Sequence, residues 1–206
     1  MISIKEIVST DYLKSLGRKP RVHPNGFIQF DVEPGVLRLN IWPDQVIEGH
    51  PGRIHPIHNH SFDLHSVILV GALTNVTYSL RQEAWIKPTH VLHQARRINE
   101  HDSVLEPVYS GAGALKVLKM DTYHPGQDYS LPREWLHDSL PHGLTMTLMW
   151  TADPSAVYSP LVAVPVGVPP MNNYKRDAFD ENLLWGIIGQ ALEAYERSRK
   201  IHSPSV

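Results

Sequence analysis

Two histidines separated by a single residue carry the clearest chemical signal in the chain. His58 and His60 lie in a segment that runs from Gly52 to Gly71 and ends in an apolar run. In a β-strand, residues two apart point to the same side, so both imidazoles can face one ion. Neutral imidazole suits zinc, iron, copper and nickel. Taken alone, the pair would equally suit a histidine-rich surface loop.

A second segment, from Tyr123 to His137, adds a third candidate ligand, and together the two segments resemble the motifs of the cupin superfamily. The first motif is a glycine, five residues, His-x-His, three or four residues, an acid and a further glycine. It is matched by Gly52, His58, His60 and Gly71. The second motif is a glycine, five residues, Pro-x-Gly, two residues and a histidine. It is matched by Gly126, Pro132 and His137, with Glu134 in place of the middle glycine.

This resemblance implies both a fold and a metal site. The fold is all-β, a cupin double-stranded β-helix or jelly-roll barrel, with its core at about residues 26–152. The metal ligands are His58, His60 and His137. Where cupins carry a glutamate ligand, this chain has Leu64 or His65, depending on the length of the spacer. The site is therefore expected to use three histidines, or four with His65.

Two acidic residues near these histidines are expected not to bind the metal. Asp63 has the wrong strand parity, so its side chain would face away from the ion. Glu134 lies in a turn three residues before His137. A carboxylate ligand from either residue would move the site to the class with two histidines and one carboxylate.

Three further strings are similar to thiol dioxygenases of the cysteine dioxygenase type. They are residues 36–42, residues 71–78 and residues 136–150. The similarity implies Fe(II) as the cofactor, with Zn, Ni or Mn as alternatives, and dioxygen and a small molecule as substrates. The Ser-x-His-x-Tyr relay of that family is missing from residues 145–151, and a thioether crosslink is impossible without cysteine. Cysteine is therefore not carried over as the substrate.

Six other residues are candidates for roles around the metal. His65 is expected to face the pocket, as a ligand or as a partner of one, and Tyr78 and Tyr123 could supply hydroxyl donors. These three are the candidate catalytic residues. The arginine that grips a substrate carboxylate in the resembled family has no firm counterpart, although Arg38 and Arg81 are available. The candidate substrate-binding residues are Arg38, Arg81 and Trp150.

The elements that must position these residues are mostly short strands. Residues 2–17 could form an amphipathic helix that ends at Gly17. Runs rich in β-branched and aromatic residues indicate strands at 26–32, 36–42, 66–70, 72–78, 114–119 and 144–150. Residues 153–174 are proline-rich and predict an extended segment laid over the body. An apolar stripe over residues 180–200 predicts a longer C-terminal helix with Asp180 as its N-cap.

Composition places these elements in an ordinary globular chain. At 206 residues, a single domain spanning 1–206 is expected, with a helical and extended C-terminal part at 153–206. The net charge of −2 and the scattered basic residues argue against nucleic acid as a partner, and no apolar run is long enough for a membrane span. The chain has thirteen histidines but no cysteine, so disulfides and thiolate ligands are excluded. A cytoplasmic monomer or homodimer is the expectation.

Three functions are compatible with this pattern. The leading one is a mononuclear non-haem Fe(II) dioxygenase acting on a small polar metabolite. A metal-dependent isomerase, lyase or hydrolase using Zn, Ni or Mn as a Lewis acid is the first alternative. A non-catalytic cupin that binds a metabolite is the second.

Overall fold

A computed structural model describes residues 4–54, 56–97, 103–152, 160–171 and 174–202. The helices and strands in these residues are α1 (Ile4–Ile7), α2 (Thr10–Ser15), β1 (Arg21–Val22), β2 (Ile28–Glu33), β3 (Leu37–Trp42), β4 (Asp63–Arg81), β5 (His90–Arg97), β6 (Ser103–Tyr123), β7 (Asp128–Leu131), β8 (Leu136–Ala152), β9 (Leu161–Pro165) and α3 (Glu181–His202). All six predicted strands overlap β2, β3, β4, β6 or β8. Strands β1, β5, β7 and β9 were not among the predictions.

The strands form one antiparallel sheet that rolls up on itself. Their order is β1-β2-β3-β8-β4-β6-β5-β9, and β7 pairs with β4. His58 forms isolated bridges to both His137 in β8 and Val162 in β9, so the β9 end of the sheet curls back to β8 through this residue. This closure covers the β9 edge. The predicted all-β fold, a barrel of the cupin or jelly-roll type with helices at the two ends of the chain, is confirmed.

The longest strand pairing depends on one glycine. Strand β4 pairs with β8 from Asp63 to Tyr78, and the register shifts on both sides of Val70. Gly71, the next residue, has a positive φ of 71°, and a Cβ atom there would lie 2.3 Å from the carbonyl oxygen of Leu144. Only glycine fits this bend.

One face of the barrel packs against the helices. The fully buried residues of this core include Phe30, Leu39 and Leu148 from the strands and Leu184 and Ile188 from α3. Because strand residues alternate sides, their neighbours in β2, β3 and β8 point into the barrel instead. The helix-packed core is therefore separate from the barrel interior, although both use the same strands.

The helices at the two ends of the chain differ in how closely they match the sequence-based predictions. The predicted C-terminal helix is confirmed as α3, and the Asp180 Oδ1 accepts a hydrogen bond of 2.8 Å from the Leu183 backbone N–H, as expected of an N-cap. The predicted single helix at residues 2–17 is instead two short helices, because Ser9 has extended backbone angles. Gly17 follows them with a positive φ of 63°.

The proline-rich segment, residues 153–174, was predicted to be extended, and part of it pairs with the sheet as a strand. Residues 161–165 form β9, which pairs with β5 from Gln94↔Leu161 to His90↔Pro165. The prediction for residues 153–159 and 172–173 falls outside the described residues. No helix in the described part of the chain has both the length and the apolar character that crossing a membrane would require.

Candidate metal centre

Three histidines converge at one end of the barrel interior. His58, His60 and His137 each offer a ring nitrogen, and these nitrogens all lie within 4.8 Å of one another. The ring centroids are 4.9 Å apart for His58 and His60, 4.7 Å for His58 and His137, and 5.0 Å for His60 and His137. The structure thus brings together the three residues that the two sequence segments single out.

Backbone hydrogen bonds hold this arrangement in place. The N–H of His58 donates to the carbonyl of His137 at 3.0 Å, and the N–H of His137 donates back at 2.8 Å. Between the first two histidines, Asn59 turns the other way, and its Oδ1 accepts a hydrogen bond from the Leu161 N–H at 2.6 Å. The alternation expected of His-x-His therefore holds, although the segment forms only a bridge and not a full strand.

Two of the imidazoles have a fixed tautomer. Nδ1 of His58 lies 2.8 Å from the carbonyl oxygen of Pro56, and Nδ1 of His137 lies 3.2 Å from that of Trp135. A carbonyl oxygen only accepts, so each Nδ1 carries the proton and each Nε2 carries a lone pair. Metal-binding histidines commonly show this pattern, since the second hydrogen bond orients the ring.

The same surroundings keep all three rings neutral. Burial, and then the neighbouring His58, lowers the pKa of His137 to about 3. Burial followed by repulsion from His58 and His137 lowers the pKa of His60 well below its ordinary value, and burial lowers the pKa of His58. Neutral imidazoles are the form that binds metal. Three such nitrogens, with no thiolate, fit a divalent transition metal.

The guanidinium of Arg38 lies at the edge of this group. Phe62 stacks on His60 with ring centroids 4.9 Å apart, and the Arg38 Cζ lies 5.4 Å from the Phe62 ring centroid. The Oδ1 of Asp31 lies 3.7 Å from the Arg38 Nε. Of the candidate substrate-binding residues, Arg38 is the one that the structure places beside the histidines.

Three neutral polar side chains are buried among the strands, and one of them lies directly opposite a candidate ligand. Thr77 lies directly opposite His137 across β4 and β8, and Asn40 lies opposite Thr147 across β3 and β8. All three polar residues are buried, and each has a side-chain oxygen with no hydrogen-bond partner among the described residues. Buried polar groups are normally paired, so these oxygens are free to contact a bound molecule.

Sequence reasoning missed these interior residues. For Asn40, the signal was a polar residue at every second position of a strand whose other positions are apolar, as in residues 37–41. Sequence reasoning also missed His23, whose ring lies 6.0 Å from that of His58, and His50, whose ring contacts the His23 carbonyl. The string His23-Pro-Asn-Gly26 is a strong turn signal that places a histidine at a fixed point, and it could have drawn attention to His23.

Two candidate residues lie together on the outside of the barrel. His65 is exposed, its Nδ1 is 2.9 Å from the Ser130 Oγ, and its ring centroid is 5.6 Å from that of Trp150. Trp150 packs against the helix-packed core. Because Leu64 and Ser66 are the residues of β4 that point inwards, His65 points out, and the structure does not bring it to the other three histidines.

The other candidate residues are also apart from the histidines. Arg81 is exposed and forms an ion pair with Glu83 at 3.0 Å. Tyr78 follows Thr77 on β4, faces the opposite side and packs near Leu92. Burial raises the pKa of the Tyr78 hydroxyl.

Tyr123 lies against Tyr129, with ring centroids 5.0 Å apart, and its hydroxyl donates to Asp121 at 3.4 Å. Burial raises the pKa of the Tyr123 hydroxyl as well. Its predicted role near the metal stays a prediction.

Neither nearby acid belongs to the group of three. The Oδ1 of Asp63 accepts a hydrogen bond from the Arg133 N–H at 2.8 Å. Glu134 is exposed. Among the described residues, the cluster of possible ligands consists of histidines only.

Comparison with known proteins gives a distant structural likeness. No protein-family model and no curated protein matches the chain. Similar solved structures include the hydroquinone 1,2-dioxygenase PnpCD in complex with Cd²⁺ and 4-hydroxybenzonitrile, at 12% identity over 74% of this chain and 77% of that one, with a TM-score of 0.34. Another is ycfD of E. coli, at 12% identity over 99% of this chain and 61% of that one, with a TM-score of 0.38. Since both scores are below 0.5, the fold rests on strand order and the site on its three histidines.

Proposed function

We propose that this protein is a mononuclear non-haem Fe(II) dioxygenase that acts on a small polar molecule. The observation that carries the proposal is the convergence of three neutral imidazoles, from His58, His60 and His137, at one end of a barrel. Three protein ligands on one side of an ion leave the opposite side for other molecules. A bound Fe(II) would supply the activation of dioxygen there.

The side chains around the histidines would bind and orient the substrate. Arg38 is placed to attract an anionic group of the substrate towards the metal side of the barrel. Thr77, Asn40 and Thr147 offer buried hydroxyl and amide groups for hydrogen bonds. A substrate that satisfies these groups would be held in one orientation, which is the main contribution of a protein to this kind of chemistry.

The donor set also favours a second candidate function. Zinc sites that activate water have three histidine ligands and one position left open for the water. A Lewis-acid reaction with Zn, Ni or Mn is therefore the alternative. The two functions differ in whether the metal must change its redox state.

Nitric oxide, an analogue of dioxygen, separates them. Metal-free protein is loaded anaerobically with Fe(II) or Zn(II), the metal content is measured, and nitric oxide is added while the electron paramagnetic resonance spectrum is recorded. The Fe(II) protein is expected to bind about one ion per chain and to give the spectrum of an iron–nitrosyl centre. His137→Ala should lose both metal and signal, whereas the exposed His124→Ala should keep them.

Two results would count against the dioxygenase. Full Fe(II) occupancy without a nitrosyl signal would show that no position is open to a diatomic gas. Full occupancy in His137→Ala would show that the metal is held elsewhere.

A further inference from the structure

His23 lies beside the three-histidine group without belonging to it. Its ring centroid is 6.0 Å from that of His58, at an interplanar angle of 36°. The ring also stacks on Phe27, with centroids 4.3 Å apart at 20°, and Phe27 contacts Trp42 in the barrel interior. His23 is thus fixed between the aromatic interior and the candidate ligands.

The turn that carries His23 is tightly hydrogen-bonded. The His23 N–H donates to the Phe27 carbonyl at 2.7 Å, and the Gly26 N–H donates to the His23 carbonyl at 2.9 Å. Gly26 has a positive φ of 79°, which suits glycine. A second loop supports the turn, because Nδ1 of His50 accepts from the Gly52 N–H at 3.0 Å and its Nε2 then donates to the His23 carbonyl at 3.3 Å.

The tautomer of His23 is the reverse of that of the candidate ligands. Its Nδ1 accepts a hydrogen bond of 3.2 Å from the backbone N–H of Asn25, so in the neutral ring the proton is on Nε2. In His58 and His137 the proton is on Nδ1 and the lone pair is on Nε2. The group therefore combines lone pairs for a metal with one N–H donor next to them.

The charges around His23 keep its ring neutral and favour an anion nearby. Burial, followed by the positive charge of Arg176 and that of Arg38, lowers the pKa of His23 well below its ordinary value. The pKa of His60 is lowered first by burial, then by His58 and His137, and then by Arg38 and His23. Arg38 is the guanidinium that the geometry places near this group, since its Cζ lies 5.4 Å from the centroid of the Phe62 ring that stacks on His60.

We propose that His23 is a positioning residue, whose Nε2–H donates a hydrogen bond to an anionic atom of the molecule bound on the open side of the metal. The proposal rests on the metal site of the proposed function. Because Nδ1 accepts a hydrogen bond from its own loop, Nε2 is the ring nitrogen left to donate to a bound molecule. The proton on Nε2 also distinguishes His23 from a fourth ligand, which would need a lone pair there. The ligand class that follows is a small anion, or a substrate that presents an anionic oxygen, nitrogen or sulfur atom.

Azide is a suitable probe, since it is a small anion that can occupy an open metal position. Protein loaded with Co(II) is titrated with azide, and the visible absorption of the metal reports binding. His23→Asn retains an acceptor in the place of Nδ1 and so keeps the turn, but its side chain is too short to replace Nε2. His23→Gln carries an N–H donor close to the place of Nε2. The exposed His124→Asn is the control.

All four proteins are expected to bind close to one Co(II) per chain. The affinity for azide should fall about tenfold or more in His23→Asn, as expected for the loss of a hydrogen bond to a charged acceptor. It should recover in His23→Gln and be unchanged in His124→Asn. If His23→Asn does not fold, a comparison of His23→Gln with His23→Glu tests the same point. In His23→Glu a carboxylate replaces the donor, so this variant is expected to bind azide more weakly than His23→Gln.

The possible failures are distinguishable. Equal azide affinity in His23→Asn and the parent, or in the Gln and Glu variants, would overturn the role of His23 alone. Loss of Co(II) from His23→Asn would make His23 a ligand and overturn its role as donor. A parent protein that binds no Co(II) would overturn the metal site and, with it, the proposal for His23.

Discussion

Strand β3 sends Leu39 and Ile41 to one side and Arg38 and Asn40 to the other. The first pair is buried against the helices in a fully apolar core. The second pair faces the barrel interior, where the side-chain oxygen of Asn40 has no hydrogen-bond partner among the described residues. Strand β8 divides its side chains in the same way, with Met146 and Leu148 on the helix-packed face and Thr147 on the other.

The comparison shows that one sheet serves two purposes. Burial of apolar side chains on the helix-packed face stabilises the fold, by about 25 cal/mol for each Å² removed from water. On the interior face, each buried polar group without a partner costs about 1–3 kcal/mol. Such a cost is typical of a surface kept for binding, and the four predictions below test whether the two faces are as separate as the structure indicates.

The largest effect is expected on the helix-packed face. Phe30 is fully buried there, so Phe30→Ala should lower the free energy of unfolding by about 3–5 kcal/mol through lost burial and a cavity. Val36→Ala, at a side chain that is 43% exposed, is the control and should change it by less than about 0.5 kcal/mol. Denaturant unfolding measures both. If the faces are separate, folded Phe30→Ala still binds one metal per chain, and a weaker metal site would break the comparison.

The second effect concerns the interior face and needs the metal. Zinc at about 100 times its dissociation constant should raise the free energy of unfolding of the parent by about 2.7 kcal/mol, because it binds the folded state. In His137→Ala this increase should disappear. Thermal unfolding with and without zinc measures it, and His124→Ala should respond like the parent. An equal increase in His137→Ala would place the zinc elsewhere.

The third effect is a dependence on pH in metal-free protein. The pKa of His137 is about 3 in the folded chain, below its ordinary value of 6.5. As the pH falls below 6.5, the unfolded state binds the proton first, so stability is lost down to about pH 3. One histidine contributes a slope of about 1.4 kcal/mol per pH unit over this range. His137→Gln should have a smaller slope between pH 4 and pH 6 in denaturant unfolding with a chelator. An unchanged slope would contradict the burial of a neutral His137.

The smallest effect compares two threonines of β8. The buried Thr147 hydroxyl has no partner in the described part of the chain, so Thr147→Val should leave the free energy of unfolding unchanged or raise it by up to about 1 kcal/mol. The Thr145 hydroxyl lies 3.0 Å from the Ala72 carbonyl and 3.1 Å from that of Gly143. Thr145→Val should therefore lower the same quantity by about 1 kcal/mol. Equal losses would show that Thr147 does have a structural partner.

Local patterns predicted much of this molecule. Strand alternation and the cap at Asp180 depend on neighbouring residues, so the all-β class and helix α3 could be derived from sequence. The prediction that His58 and His60 face one ion also used only residues that are close in sequence. The third histidine came from the resemblance to a family motif, because spacing within one segment says nothing about a residue 77 positions away.

What could not be predicted depends on strand register. His65 was expected to face the pocket because of its place in the resembled motif, but Leu64 and Ser66 are the residues of β4 that point inwards, so His65 points out. Thr77 was missed because its position opposite His137 is a property of the pairing and not of either strand. His23 was missed because it lies in a turn outside both histidine segments, and only the folded chain brings it beside His58.

The mutual backbone hydrogen bonds of His58 and His137 have a consequence for the entropy of metal binding. An ion that joined residues 60 and 137 in a flexible chain would have to close a loop of 77 residues, at an entropic cost on the order of 4 kcal/mol. In the folded chain, the bridge between the strands has already brought those segments together. The folded chain can therefore bind the ion without this entropic cost, which the closure of the barrel has already met.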